Sequence, residues 1–268
     1  MSAFSKIAGA ALVAGTVFAA TPAAAVVTTF AEFTAIGTGS NVMWKNNGTN
    51  ASNGTGGSFY TISTAASNVA GTRNVRFSFL QASISPYVTN IVAAFTLNGS
   101  VAATPALLAG TFLIQQGIAG TFSFKTTTAV TVGATTFAVG SNLLSGVFNQ
   151  AAIVGARNAT SGSASSSTTS GATITYTSDF LSFAPTVDRD FAISLTSIAS
   201  PLNAVPTNSN PTRALRSFKA VSTGSFSTDP APLVTAVPEP AAWTLMIVGF
   251  GLVGLQTRRR ARNVTVSA

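Results

Sequence analysis

The sequence predicts an all-β body, an antiparallel β-sandwich of jelly-roll-like or similar design. An N-terminal signal peptide precedes it and a C-terminal transmembrane helix follows it. Three observations predict this. Short runs of β-branched and aromatic residues alternate with polar ones through residues 26–230. Gly, Asn and Pro punctuate those runs. Two apolar, uncharged runs, 7–20 and 241–255, stand one near each terminus. Period-two alternation means strands with one dry and one wet face, and regular turn signals between short strands are the mark of a sandwich.

The leader comes first. Lys6 supplies a positive charge, residues 7–20 are apolar and uncharged, and Thr21-Pro22 breaks the run. Ala23-Ala24-Ala25 then offers small residues to a signal peptidase, so residues 1–25 are expected to be removed between Ala25 and Val26. A run of about 14 residues is short of the ~20 a spanning helix needs, which favours a cleaved leader over an anchor.

Five stretches of the body carry the strand pattern most clearly: 58–62, 74–80, 120–125, 173–177 and 190–195. In the second, Val75, Phe77 and Phe79 fall on one face, with Arg76 and Ser78 on the other. Together with Phe122, Phe124, Tyr176, Phe191, Ile193 and Leu195 they are the expected shared core. Stretches 104–116 and 142–156 have some helical character, but their glycines and β-branched residues assign both to strands. Asn98-Gly99 reads as a turn. Residues 46–57 and 161–171, rich in Asn, Gly and Ser, read as flexible loops, 201–211 as an irregular connection and 231–237 as a Pro-containing stalk.

Composition narrows the chemistry. The 268 residues include no Cys and no His, and only 7% are charged. That excludes Cys and His nucleophiles or bases, His- or Cys-held metals and disulfides, and leaves no expected cofactor and no expected metal site. Half of the formal charge of +8 comes from the two short termini; residues 26–237 hold nine scattered basic groups against five acidic ones. Such scatter lacks the clustered basic face of a nucleic-acid binder, so no nucleic acid is expected. Asp188 and Asp190 flank Arg189 and would share a face if extended. They are candidates for acid–base work, or with Asp179 for a Ca²⁺ site. The weightier reading is structural, with the carboxylates pairing with Arg189 or capping a turn. Lys45, Lys125 and Lys219 stand in no Ser-x-x-Lys pattern. The chain is therefore expected not to be an enzyme. Trp44 and Tyr60 are conceivable as an aromatic platform for a sugar ring. The alternative places Trp44 as a plug in the open end of the sandwich.

The tail has three parts in order. Pro238-Glu239-Pro240 is followed by the uncharged run 241–255, then by Arg258, Arg259, Arg260 and Arg262. The prolines keep a helix from running back into the body. Fifteen helical residues rise about 22 Å, short of a ~30 Å hydrocarbon core, yet snorkelling Arg and the interfacial Trp243 make a short span feasible. An Arg cluster holds a terminus in the cytoplasm, so leader and tail specify one topology, body outside and tail inside.

This order, over residues 238–262, resembles the PEP-CTERM sorting signal in its PEPxA variant. The resemblance implies that exosortase, a membrane-embedded transpeptidase, recognises Pro238, Glu239 and Pro240 and cuts nearby. Residues 241–255 would be the membrane hold and the Arg cluster the stop-transfer. It further implies a surface or extracellular protein of a Gram-negative bacterium, often one linked to exopolysaccharide and biofilm. The expectation is a non-enzymatic structural or adhesive component of the surface or matrix. A polysaccharide-binding module and a carboxylate-dependent glycan hydrolase are the alternatives.

Overall fold

A computed structural model describes residues 27–48, 55–185, 188–207 and 210–235, together with Val248 and Phe250. Strands dominate. The first half holds β1 (Thr28–Ala35), β2 (Val42–Asn46), β3 (Gly57–Thr61), β4 (Arg73–Phe79), β5 (Ile91–Val101), β6 (Leu107–Ala109) and β7 (Phe112–Thr126). After the short pair β8 (Val130–Val132) and β9 (Thr135–Phe137) come β10 (Asn142–Ala156), β11 (Gly162–Ser167), β12 (Ile174–Thr177) and β13 (Leu181–Ser182). The described body ends with β14 (Asp188–Ala199), β15 (Ala204–Thr207), β16 (Asn210–Leu215), β17 (Phe218–Asp229) and β18 (Leu233–Val234).

The all-β, antiparallel expectation holds, but the two separate sheets of a sandwich do not. The pairings β1–β4, β4–β5, β5–β7, β7–β10, β10–β11, β11–β14, β14–β17 and β17–β1 are all antiparallel and return to their start. One sheet closes on itself, and closure removes the exposed edges a sandwich must protect. The closure has a fork. β17 pairs with β1 over Gly224–Thr228 and with β2 over Phe218–Ala220. β5 pairs with β4 over Ile91–Phe95 and with β3 over Asn98–Val101. β1 and β4 therefore bridge β17 to β5 at one end of the ring, and β2 with β3 bridges them at the other.

The interior is phenylalanine. All nine residues expected in the shared core are buried, with Val75, Phe77, Phe79, Phe124 and Leu195 wholly enclosed. Phe124 stacks on Phe95 with centroids 4.6 Å apart and lies 5.1 Å from both Phe33 and Phe77. An eight-stranded ring is just wide enough to be filled by side chains in this way. The outward positions of the same strands are polar: Glu32, Thr34, Arg76, Thr121, Ser194 and Ser225 among them.

Three local readings are corrected. Residues 142–156 are a strand as expected, but Asn98-Gly99 lies inside β5 rather than at a turn. Gly99 faces Gly120 across the ladder, and a methyl group on Gly120 would sit 2.1 Å from the Asn98 carbonyl oxygen. The glycine there serves a close strand approach, not a reversal. The supposed loop 161–171 is mostly β11, with Ala164 and Ser166 turned inward, followed by one 3-10 turn, Thr168–Ser170. Small side chains suit it because Leu202 packs over Gly155 and Gly162 there. Residues 201–211 include β15, which pairs with β16 in a hairpin.

The long strands give the ring two distinct ends. β4, β7 and β17 finish, and β1, β5, β10 and β14 begin, at the end where Thr28 pairs with Thr228. The chain leaves the body there, so it is the tail end. The far end carries β2, β3 and the β6–β7 hairpin.

Candidate functional site

The sorting residues Pro238, Glu239 and Pro240, the Arg258–Arg259–Arg260–Arg262 cluster, and the Ala25–Val26 cleavage point all lie outside the described residues. What the structure does show is how the chain arrives at them. The stretch expected to be a free stalk is docked on the tail end as far as Thr235. β18 pairs with β13, Leu181 opposite Val234 and Ser182 opposite Leu233. Gln81 Nε2 donates to the Pro232 carbonyl at 2.5 Å. Thr235 donates from its backbone to the Phe180 carbonyl at 3.0 Å and from its hydroxyl to the Asp179 carbonyl at 3.1 Å. Phe180 in turn stacks on Phe137, centroids 3.9 Å apart, and is wholly buried. No helix among the described residues is long and apolar enough to cross a membrane.

The aromatic platform is corrected. Trp44 is fully enclosed, and its Nε1 donates to the Leu215 carbonyl at 3.2 Å. Tyr60 is buried too, in a separate small cluster with Met43 and Ile62. Its hydroxyl donates to the Asn68 carbonyl at 2.8 Å, and burial raises its pKa. Trp44 is registered with Phe59 and Met43 with Tyr60, so Trp44 and Tyr60 lie on opposite faces of the β2–β3 pair. Neither ring is offered to a sugar. Trp44 acts as a plug at the far end.

The carboxylates are dispersed. Asp179 Oδ2 accepts from the Asn142 backbone at 2.7 Å, which fixes the start of β10. Asp188 and Asp229 face each other across the β14–β17 ladder. Arg189 does not neutralise them: its Nη1 donates to the Ile174 carbonyl at 3.0 Å and its Nη2 to the Ala184 carbonyl at 2.8 Å. It ties β12 to β14 where no ladder joins them. Tyr176 does the same from the other side, its hydroxyl donating to the Asp190 carbonyl at 2.6 Å. Burial first, and then the Asp190 charge, push the Tyr176 phenol far above its ordinary pKa, with Arg189 opposing. No three carboxylates among the described residues form a metal-ligand group.

Among the shallow grooves of the outer wall, two cross four strands each. One, of about 370 Å³, crosses β5, β7, β10 and β12 and is lined by Asn98, Thr121, Ser123, Lys125 and Thr175. The other, of about 360 Å³, crosses β10, β11, β14 and β17 and is lined by Ser165, Ser167, Asp190, Ser225 and Ser227. Asp190 is the only carboxylate in either groove, and its Oδ1 is buried without a hydrogen-bond partner. Glu32 lines a neighbouring shallow groove that shares Ala192 and Ser225 with the second one. Such hydroxyl-lined walls suit hydrogen bonding to polyhydroxyl ligands.

The PEP-CTERM protein-sorting motif matches residues 236–260, beginning one residue beyond the docked Thr235. The match supports an exported protein that exosortase processes. No curated protein and no solved structure matched the chain.

Proposed function

We propose that the chain is a non-enzymatic surface or extracellular-matrix protein, structural or adhesive, working alongside exopolysaccharide in a biofilm. In this reading residues 1–25 are removed on export. Residues 241–255 hold the chain in the inner membrane, with the Arg cluster in the cytoplasm, until exosortase cuts near Pro238-Glu239-Pro240. The observation that carries the proposal is the sorting match over residues 236–260 at the end of a docked strand. The body supports it in a second way. Its interior is packed with aromatic rings, and its grooves are shallow and lined by hydroxyls. Such a body suits a durable surface component that meets other molecules through its outer wall.

Replacing Pro238-Glu239-Pro240 by three alanines tests the processing step. The altered chain should accumulate uncut in the membrane fraction while the natural one reaches the surface. Equal surface delivery of both would overturn the proposal.

A second reading is favoured by one feature, the orphaned Asp190 Oδ1 on a hydroxyl wall. It makes the body a polysaccharide-binding module. A glycan array would separate the two: under this reading Asp190→Asn weakens a defined signal, and under the structural one the variant is indistinguishable from the parent.

A further inference from the structure

We infer that the tail end of the body is a lipid-contacting seat, on which the molecule rests against the outer face of the inner membrane before it is cut. The inference rests on the reading that residues 241–255 span that membrane. It adds which surface of the body meets the bilayer.

The tether limits how far the tail end can lie from the membrane. Thr235 is bound to the body by two hydrogen bonds, and the apolar run begins at Ala241. Six residues reach at most about 20 Å when fully extended. Strands as long as β7 and β10, 15 residues each, extend up to about 50 Å. The tail end must therefore stay near the headgroups, while the far end is free to stand well away from them. The body's other end points the same way: Thr28, first residue of β1, pairs with Thr228 at this end.

Four apolar or aromatic side chains are exposed there. Leu233, two residues before the exit, is 74% exposed, and Val139 is 66% exposed. Leu80 and Tyr87 are also exposed, on a segment bound to the Pro232 carbonyl through Gln81. Val139 belongs to the same surface, because Asn142 bonds to Asp179 and Asp179 to Thr235. Tyrosine beside aliphatic side chains is the composition favoured at a membrane–water interface. Charge does not drive the contact: Asp179, Asp188 and Asp229 lie at this end with Lys125 and Arg76. The far half is not less apolar, since Val69, Leu107 and Phe112 are exposed there. Tethering, not hydrophobicity alone, selects the seat.

The chain has no cysteine, so single cysteines can be labelled without background. Leu233→Cys, Val139→Cys, Val69→Cys, Phe112→Cys and Val248→Cys replace exposed side chains. Each full chain would carry a fluorophore at that cysteine in phosphatidylethanolamine–phosphatidylglycerol vesicles containing a spin-labelled lipid as quencher. Quenching at 233 and 139 should be several-fold greater than at 69 and 112, and should persist at high salt. Strong quenching at 248 with all four body sites alike would overturn the seat while leaving the span intact. No quenching at 248 would remove the span, and the seat with it.

Discussion

Strands close the sheet at both ends of the ring, but at the far end β2 and β3 also carry the plug, whereas at the tail end short connecting segments gather over the ring. β2 and β3 are laddered into β17 and β5, and Trp44 and Asn46 both donate to the Leu215 carbonyl, at 3.2 and 2.9 Å. Gly57 lies so close to the Trp44 ring that an added methyl group would sit 2.6 Å from it. The tail end instead gathers residues 81–90, 127–141, 178–185 and 230–235 around Phe180. Ring stacking, the two-residue β13–β18 pair and a handful of side-chain bonds hold them. Continuous ladders melt with the whole domain, whereas short irregular segments open locally at lower free energy. The end that must present a sequence to an enzyme is thus the end that can loosen without the ring unfolding.

The largest expected effect breaks the far end. Trp44→Ala removes the plug and should cost about 3–5 kcal/mol, as truncating a packed aromatic does. Thermal unfolding followed by circular dichroism would show one cooperative transition at a much lower midpoint. A loss below about 1 kcal/mol would mean that the β2–β3 bridge is dispensable.

Next comes the seam that Tyr176 and Arg189 close. Tyr176→Phe loses one hydrogen bond, about 1 kcal/mol at neutral pH. An unfolded tyrosine gives up its proton near pH 10, whereas the buried phenol retains it. Above pH 10 the unfolded chain binds fewer protons than the folded one, so stability falls as pH rises. Tyr60 contributes in the same direction. The natural protein should lose stability more steeply above pH 10 than the Tyr176→Phe variant. Parallel denaturation curves across that range would contradict the buried, proton-holding phenol.

A smaller effect isolates the tail end. Gln81→Ala frees the Pro232 carbonyl at a cost of about 1 kcal/mol, and the change should stay local. Hydrogen exchange should speed up at Thr235 and leave β7 and β10 protected. Faster exchange throughout would mean that both ends share one cooperative unit. The smallest effect is on the wall: Arg76→Ala, exposed and bonded only to the Asn90 carbonyl, should change stability by no more than about 0.5 kcal/mol. Phe77→Ala, one residue along and wholly buried, should cost about 3–5 kcal/mol.

Much of this contrast can be read in the sequence, and the part that cannot has a physical reason. Phe77 and Phe124 announce their strands because a half-buried strand must alternate, and alternation is local. The sorting motif is legible for a similar reason, since a processing enzyme reads it in linear order. β11 is silent because its residues, Gly, Ser and Ala, are also what a flexible loop contains. Trp44 and Tyr60 misled because the Met43–Tyr60 register places the two rings on opposite faces, and register belongs to the partner strand. Ring closure and the docking of Thr235 on Phe180 join residues far apart in the chain, so no window of sequence contains them.

On the proposed function the chain is a substrate at two ends, trimmed at both addresses while the ring remains whole. Intact-mass measurement on protein recovered from the native surface tests it most directly. The mature chain should begin at Val26, end near Pro238-Glu239-Pro240 and lack the Arg cluster. A full-length C-terminus, found in the membrane fraction, would contradict the account and make the tail a permanent anchor.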